Sequence, residues 1–469
     1  MKQKKATGGL PKSIWETYSA FANTIGGIIL LGVEEQKDCS LKIAGVPFAE
    51  EKVKEFWDII NNSNKVSANI LSDKNISIHE FDGNKIIIIE VPRAQRTDKP
   101  IYIDNNPMTG TYRRNGEGDY RCSKEAVQAM LRDASVKTQD MIVLDKMGLD
   151  VFDYESVRRY RIRMKNYRPG HVWEDLSDED FLYKLGAVAR GEDGQLHPTA
   201  AGLLMFGYEY EIVKEYPNFF LDYQEQLDVQ NRWTDRIVSN DGTWSGNIYD
   251  FYFKVYNKIV QDIKTPFKLE GGDRIDDTPV HKALREALAN ALINADYHGR
   301  KGIVIKKRLD IIEVSNPGGF RVDIEDAKCG GVSDPRNTTL IKMFNLINIG
   351  ERAGSGIPNI YDVWKKQGWY MPEISEEFNP DRIVLSLSLE NEKKPPKKTA
   401  EKKPPKKTAE KMELIIRFLT DIPQAKSVQI SQHLGLSERR TREILTKLIE
   451  SEIVETEGET KNRIYRLKR

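Results

Sequence analysis

Glu286, Asn290 and Asn294 stand four residues apart in the run Arg285-Glu286-Ala287-Leu288-Ala289-Asn290-Ala291-Leu292-Ile293-Asn294-Ala295-Asp296-Tyr297-His298. A helix over this run carries all three on one face. A carboxylate and two amides aligned in this way can hold a metal ion and position a water, with Glu286 as general base and Asn290 as metal ligand. Burial against a core does not require them, because the intervening Ala and Leu residues already supply an apolar side. The plainer reading pairs Glu286 with Arg285 or Lys282 on a solvated face and leaves the asparagines in a polar patch.

The neighbouring sequence favours a ligand site. Residues 302–307 and 311–315 alternate like the two strands of a hairpin, and the second runs into Asn316-Pro317-Gly318-Gly319. Glycines after a strand let a ligand approach the backbone closely. Further on, Gly350-Glu351-Arg352-Ala353-Gly354-Ser355-Gly356-Ile357 forms a glycine-rich turn that leads into a helical pattern over 357–364. Backbone N–H groups at such a helix start can cradle phosphates. Together with Pro335-Arg336-Asn337 and a predicted helix over 343–349, these pieces resemble, across residues 271–390, the ATPase fold shared by gyrase, the heat-shock chaperone of that class, histidine kinases and the mismatch-repair ATPase (GHKL). The branch is the divergent one of bacterial transcriptional regulators of the RecG-like type. The resemblance implies ATP with Mg2+, a water activated by Glu286, and magnesium held by Asn290. It also implies a nucleotide enclosed by Asn294, Asn316, Gly318, Gly319, Gly350, Gly354, Ser355 and Gly356. One departure is visible: the family's Asp-x-Gly-x-Gly segment, whose Asp accepts from the adenine amino group, is replaced here by Asn316-Pro317-Gly318-Gly319. That favours nucleotide binding over turnover and leaves at most a weak ATPase.

With 469 residues, 39% hydrophobic and 9% aromatic, the chain is long enough for several buried cores. No stretch approaches the apolar length of a membrane span, and Met1-Lys2-Gln3-Lys4-Lys5 lacks an apolar signal core. Cys39, Cys122 and Cys329 lie far apart without metal spacing. These features predict a cytoplasmic protein without a membrane partner. The net charge of +1 is unevenly placed: residues 391–469 hold 20 Lys+Arg against 12 Asp+Glu, a balance of +8 that leaves −7 for 1–390. The basic end opens with an identical tandem nonapeptide, Glu-Lys-Lys-Pro-Pro-Lys-Lys-Thr-Ala, at 392–400 and 401–409. Such Lys- and Pro-rich sequence cannot bury a core and predicts an extended linker over 391–410.

Beyond the linker, residues 412–419 read as a helix, Ser427 caps a second that runs to Leu434, Gly435 turns the chain, and Ser437 caps a third. On the third helix Thr441, Ile444, Leu445 and Leu448 share one face, and Arg439, Arg442, Glu443 and Thr446 share the other. Ile453-Val454-Glu455 and Arg463-Ile464-Tyr465-Arg466-Leu467 then alternate as a hairpin around Gly458. The pattern over 411–469 resembles a winged helix-turn-helix that offers Arg439, Arg442 and Thr446 to the major groove of double-stranded DNA. The lysines of the repeat add affinity through counterion release, whereas Glu455, Glu457 and Glu459 on the wing oppose it.

Residues 15–33 combine a helix, a glycine turn and a continuous apolar strand. With a strand over 85–91, the Pro100-Ile101-Tyr102 segment and the Thr111-Tyr112-Arg113-Arg114-Asn115-Gly116 turn, residues 1–134 resemble the Schlafen AlbA-type domain, a nucleic-acid-binding module. Nuclease members of that family cluster three carboxylates around a metal, two from a strand ahead of the helix. Here Glu34 or Glu35 matches the last, and Gln3 stands near the place of an expected Glu, so the resemblance implies binding without cleavage. Arg113 and Arg114 are its phosphate-contact candidates.

Residues 135–270 form a mixed middle region, with a helix over 181–188, a turn and helix over 197–207, and a strand beginning at 219. The six histidines show no ligand spacing. The sequence therefore predicts an α+β multidomain chain: an AlbA-type α/β domain, the middle region, a GHKL-like α/β sandwich, the linker and the winged helix. Its expected function is a nucleotide-responsive DNA-binding transcriptional regulator that forms a homo-oligomer by analogy with the ATPase family. Two rival classes stand beside it: a Schlafen-like nuclease or ATPase in a defence system, and an interaction scaffold with a degenerate ATP site.

Overall fold

The computed structural model describes residues 1–468 apart from 7, 39, 229–231, 262, 264–268, 271–272, 275–277, 351–353, 393–405, 451–452 and 458–462, and leaves aside the side chains of 269–270, 273–274, 406–410, 413, 439 and 450. The chain divides into two compact units, 1–391 and 392–469.

The first unit begins with a four-stranded sheet in the order β1 (Lys2–Lys4), β2 (Gly27–Leu31), β4 (Asn84–Val91), β3 (Ile76–Phe81). Its β1–β2 pair is parallel and the others antiparallel. The apolar runs Ile28–Leu31 and Ile86–Ile89 suit sheet strands, and helix α1 (Ile14–Ala22) closes the core with Ile14, Tyr18 and Phe21. Helix α2 (Ala49–Ile60) adds Phe56 and Ile60. The expected continuous strand stops at Gly32, whose φ of +85° turns the chain so that Val33–Glu35 pairs with Leu41–Ile43 outside this sheet. The segment expected as a turn over 111–116 is instead mostly strand: β5 (Tyr112–Asn115) pairs with β6 (Gly118–Arg121), and the turn falls after Asn115. Helix α3 (Lys124–Ala134) follows, capped by the Ser123 side chain.

The rest of the unit surrounds a six-stranded sheet. Helices α4 (Tyr154–Tyr167), α5 (Asp178–Leu185) and α6 (Ala200–Phe206) lead to strands β7 (Leu221–Gln226) and β8 (Asp235–Val238) and helix α7 (Ile248–Ile259). Then come α8 (Pro279–Asn294), β9 (Ile303–Arg308), β10 (Ile311–Pro317), α9 (Thr338–Leu346), α10 (Gly356–Gln367), β11 (Glu373–Glu377) and β12 (Arg382–Ser388). The sheet order is β8-β7-β9-β10-β12-β11, with β7 and β9 parallel. Because β7 and β8 precede residue 271 and one hydrophobic core runs from Leu144 to Leu387, the expected boundary at 270 separates no cores. Two helices are displaced from their expected spans. Ser177 caps α5 early and left-handed Gly186 ends it before Val188 begins a short strand. The helix expected over 343–349 starts at Thr338 and is over before Asn348, whose φ is +60°.

The second unit contains α11 (Lys406–Asp421), β13 (Ala425–Lys426), α12 (Ser427–His433), α13 (Glu438–Glu450), β14 (Val454–Glu457) and β15 (Ile464–Leu467). Its strands form an antiparallel sheet in the order β13-β15-β14. Ile415, Ile430, Ile444, Leu445, Leu448 and Tyr465 make its core. No described helix is long and apolar enough to cross a membrane.

Candidate nucleotide site

Helix α8 is fixed at its start by a capping box between Thr278 and His281 with Pro279 in the first turn. Its Ala and Leu side chains are buried, and Glu286 is buried with them at 9% exposure. Asn290 Nδ2 donates to Glu286 Oε1 at 3.2 Å, and Asn294 Nδ2 donates to the Asn290 carbonyl at 3.0 Å. The helix ends at Asn294, so Tyr297 and His298 leave this face. The Tyr297 hydroxyl donates to the Leu292 carbonyl at 2.7 Å, and the His298 ring packs on Tyr216 at 4.9 Å, where burial lowers its pKa.

A cavity of about 140 Å3 opens between α8, the sheet and α10. Glu286, Asn290 and Asn294 line one side, Val314, Ile383 and Leu385 form an apolar floor, and Ile341, Ile360 and Tyr361 face them. Asn316 lies in the same cavity, 5% exposed; its Nδ2 donates to the Pro317 carbonyl at 3.4 Å, and its Oδ1 accepts no hydrogen bond among the described residues. At the start of α10 a Cβ on Gly356 would stand 2.2 Å from Glu286 Oε1, so only glycine lets the carboxylate and the helix start meet. A negative carboxylate and a positive helix end thus face one space. This arrangement suits an anion there only if a cation lies beside Glu286.

The residues expected around the nucleotide therefore divide. Glu286, Asn290, Asn294, Asn316, Gly319, Gly354 and Gly356 share the cavity. Gly350 and Ser355 open instead onto a cleft behind Glu286 that also exposes Lys282 and Arg285. Gly318, at φ +97°, lies against the Arg336 guanidinium and lines a separate polar cavity. Glu351, Arg352 and Ala353 fall outside the described residues.

Charged residues set the walls. Arg336 is 5% exposed and forms a bidentate pair with Asp133, 2.8 Å at each nitrogen. It also donates to the Asn294 and Gly319 carbonyls, tying the end of α8 to the glycine segment. Burial opposes the charge of Asp133, but Arg336, with Arg321 and Arg132, outweighs it and holds the carboxyl below its ordinary range. Asn337 Nδ2 donates to the Ile293 and Ala295 carbonyls at 2.8 and 2.9 Å and so caps the same helix end. Pro335-Arg336-Asn337 was visible as a motif; that its Arg and Asn serve the end of α8 needed the structure.

The two arginines expected to meet phosphate are placed differently. Arg113 is inside a bidentate pair with Asp381 and lies over the Phe378 ring. Its side chain is 13% exposed, and Asp381 occupies both of its terminal nitrogens. Arg114 pairs with Asp119 at 2.9 Å and is 16% exposed. Gln3 lies on β1, and Glu34 pairs with Lys5 at 3.4 Å; among the described residues no cluster of His, Cys, Asp and Glu is arranged to hold a metal. In the second unit Thr441, Ile444, Leu445 and Leu448 are buried while Arg442 and Thr446 are exposed on the opposite face of α13. Arg442 pairs with Glu438 at 2.9 Å. The Arg439 side chain and Gly458 lie outside the described residues.

Comparisons with known proteins fall on the same regions. Residues 1–123 match the family "Schlafen, AlbA_2", residues 128–222 match "Domain of unknown function (DUF8451)", and residues 301–385 match "Putative ATP-dependent DNA helicase recG C-terminal". No curated protein matches the chain. Among solved structures, a Corynebacterium diphtheriae protein is similar at 16% identity over 100% of this chain and 91% of its own, with a TM-score of 0.43. The N-terminal domain of a protein described as "Putative ATP-dependent DNA Helicase RecG-related Protein", from Nitrosomonas europaea, is similar at 26% identity over 26% of this chain and 81% of its own, with a TM-score of 0.21. By these matches the chain is similar to the Schlafen AlbA family at 1–123 and to the RecG C-terminal, ATPase-type family at 301–385.

Proposed function

We propose that this protein is a DNA-binding regulator whose first unit binds ATP with magnesium and whose second unit is a winged helix. One observation carries the nucleotide half: the α8 stripe, the buried Asn316, Gly354 and Gly356 line a single cavity with an apolar floor. Asn316 Oδ1 is the acceptor suited to an adenine amino group, the role that an Asp fills in the resembling ATPases. Asn290 is the magnesium ligand, and the cation it holds compensates the closeness of Glu286 to the phosphate-facing start of α10. The nucleotide would supply a triphosphate whose charge depends on that ion, while Glu286 would take a proton from water.

The second unit supports the DNA half. Its helix–strand–helix–helix–hairpin order and the exposed Arg442 and Thr446 on α13 suit insertion into a major groove. The family matches add a DNA-related context, since one is that of a putative DNA helicase C-terminal region. Calorimetric titration with a non-hydrolysable ATP analogue, with and without magnesium, tests the reading. Saturable binding that needs magnesium is expected. No heat at millimolar nucleotide under either condition overturns it and leaves a scaffold.

A further inference from the structure

Residues 319–321 wall the proposed nucleotide cavity on one side and a second, polar cavity of about 50 Å3 on the other. The second cavity lies between the β-rich start of the first unit and its six-stranded part. On the scale of roughly 10–15 Å3 per water, it holds on the order of four waters or a single tetrahedral oxyanion. Its charged lining comprises Arg93, Arg96, Lys99, Arg113 and Arg321 against Asp133, Asp296, Glu376 and Asp381. Every one of those arginines has a carboxylate partner: Arg93 with Glu376, Arg96 and Arg321 with Asp334, and Arg113 with Asp381. Lys99 has none among the described residues.

The donors left over point the same way. Arg113 Nε and Arg321 Nε are buried without a hydrogen-bond partner, although Asp334 lies 3.6 Å from the latter. Lys99 and both arginines thus line one small space with donor capacity unmet, and a buried donor left unmet is costly. The complement of such a set is an acceptor that carries negative charge.

We propose that this cavity binds the phosphate group of a ligand, with Lys99 as its charge partner and the side chains of Arg113 and Arg321 beside it. Burial, and then the positive charges of Arg93 and Arg113, lower the Lys99 pKa to about 7, with Glu376 and Asp381 opposing them. Arg96, Arg321, Asp133 and Asp296 complete the charged surroundings. An arriving anion therefore stabilises the ammonium and draws in a proton. The site does not depend on nucleotide binding in the neighbouring cavity.

The full-length chain is titrated with sulfate, which does not itself titrate near neutrality, at pH 8 and constant ionic strength in two buffers of different ionisation enthalpy. One sulfate is expected to bind with uptake of about one proton. Lys99→Met should weaken binding at least tenfold and abolish the uptake, while the ligand-free variant is no less stable than the wild type at pH 7. Absence of binding at tens of millimolar sulfate, binding without proton uptake, or binding unchanged in Lys99→Met overturns the proposal. Should Lys99→Met fail to fold, the wild-type proton uptake decides alone. Displacement of sulfate by inorganic phosphate marks a free oxyanion as the ligand. Displacement only by a 5′-phosphorylated dinucleotide, and not by its 5′-hydroxyl form, marks a phosphate carried on nucleic acid.

Discussion

At Gly356 the missing side chain is a steric requirement, because a Cβ there would stand 2.2 Å from Glu286 Oε1 and 2.9 Å from its Cγ. Gly356→Ala should therefore destabilise the first unit by about 1–3 kcal/mol, the usual range for overpacking. The cost should largely vanish in a Glu286→Ala background, since the clashing partner is gone; equal costs in both backgrounds in denaturant unfolding would contradict the contact. On the same helix, Asn290→Ala should abolish magnesium-dependent nucleotide binding. Glu286→Ala should instead keep ATP affinity while any hydrolysis falls by about 10²–10⁴-fold. Comparable loss of affinity in both variants would show that the two residues do not divide the work. Lys99 supplies a pH test. Its folded pKa of about 7 lies below the ordinary 10.5, so between those values the unfolded chain holds a proton that the folded chain lacks. Stability from this group must then rise with pH across that window, by up to about 1.4 kcal/mol per unit, and is least below pH 7. The difference in unfolding free energy between the wild type and Lys99→Met should follow that slope, and a pH-independent difference would contradict it.

Elements with strong periodicity were legible before the structure, and those whose ends depend on distant partners were not. The 302–307 and 311–315 strands appear as β9 and β10: Ile312 and Val314 alternate with Glu313 and Ser315 as a half-buried strand does, and β9 buries Ile303 and Ile305. By contrast, the strand beginning at 219 falls in the middle region of the sequence, although the parallel pairing of β7 with β9 makes it part of that sheet, a pairing between segments about 80 residues apart that local pattern cannot reveal. The hairpin after Thr111 was read as a turn because Asn115-Gly116 is a turn signal, while the strand before it is held by Arg113 through Asp381, far along the chain. The site itself was half legible. The α8 stripe and the glycine turn stand in the sequence, but the Arg336–Asp133 pair and Lys99 acquire meaning only when residues more than 200 positions apart meet. In α13, where the division into a buried and an exposed face follows the sequence closely, Leu445→Ala should cost about 2–5 kcal/mol through the cavity it leaves. Neutralising Arg439 and Arg442 together should weaken specific DNA binding by about 2–5 kcal/mol if both read bases. An unchanged dissociation constant at fixed salt would remove α13 from the interface.

Across the whole first unit, opposite charges hold the AlbA-type region against the six-stranded part. Arg93 meets Glu376, Arg96 meets Asp334, Arg113 meets Asp381, Arg132 meets Asp296, and Asp133 meets Arg336. Four of the five contribute the arginine from the AlbA-type side, so the partner carboxylates neutralise the cations that a nucleic-acid-binding module would otherwise present. Buried pairs of this kind add little net stability when intact but cost about 3–5 kcal/mol when one member is removed. Asp381→Ala should accordingly destabilise residues 1–391 by that amount, and calorimetry should show one cooperative transition rather than separate melting of 1–134. If the AlbA-type region binds nucleic acid, the same geometry makes that affinity depend on the junction. In residues 1–391, Glu376→Gln with Asp381→Asn removes the charges facing Arg93 and Arg113 while keeping side-chain volume. DNA binding should then strengthen, and the slope of its logarithm against log salt should steepen by about 0.9 for each phosphate newly contacted. Identical salt slopes before and after the double substitution, in a protein shown to be folded, would mean that these arginines serve the junction alone and that AlbA-type recognition, if it occurs, uses another surface.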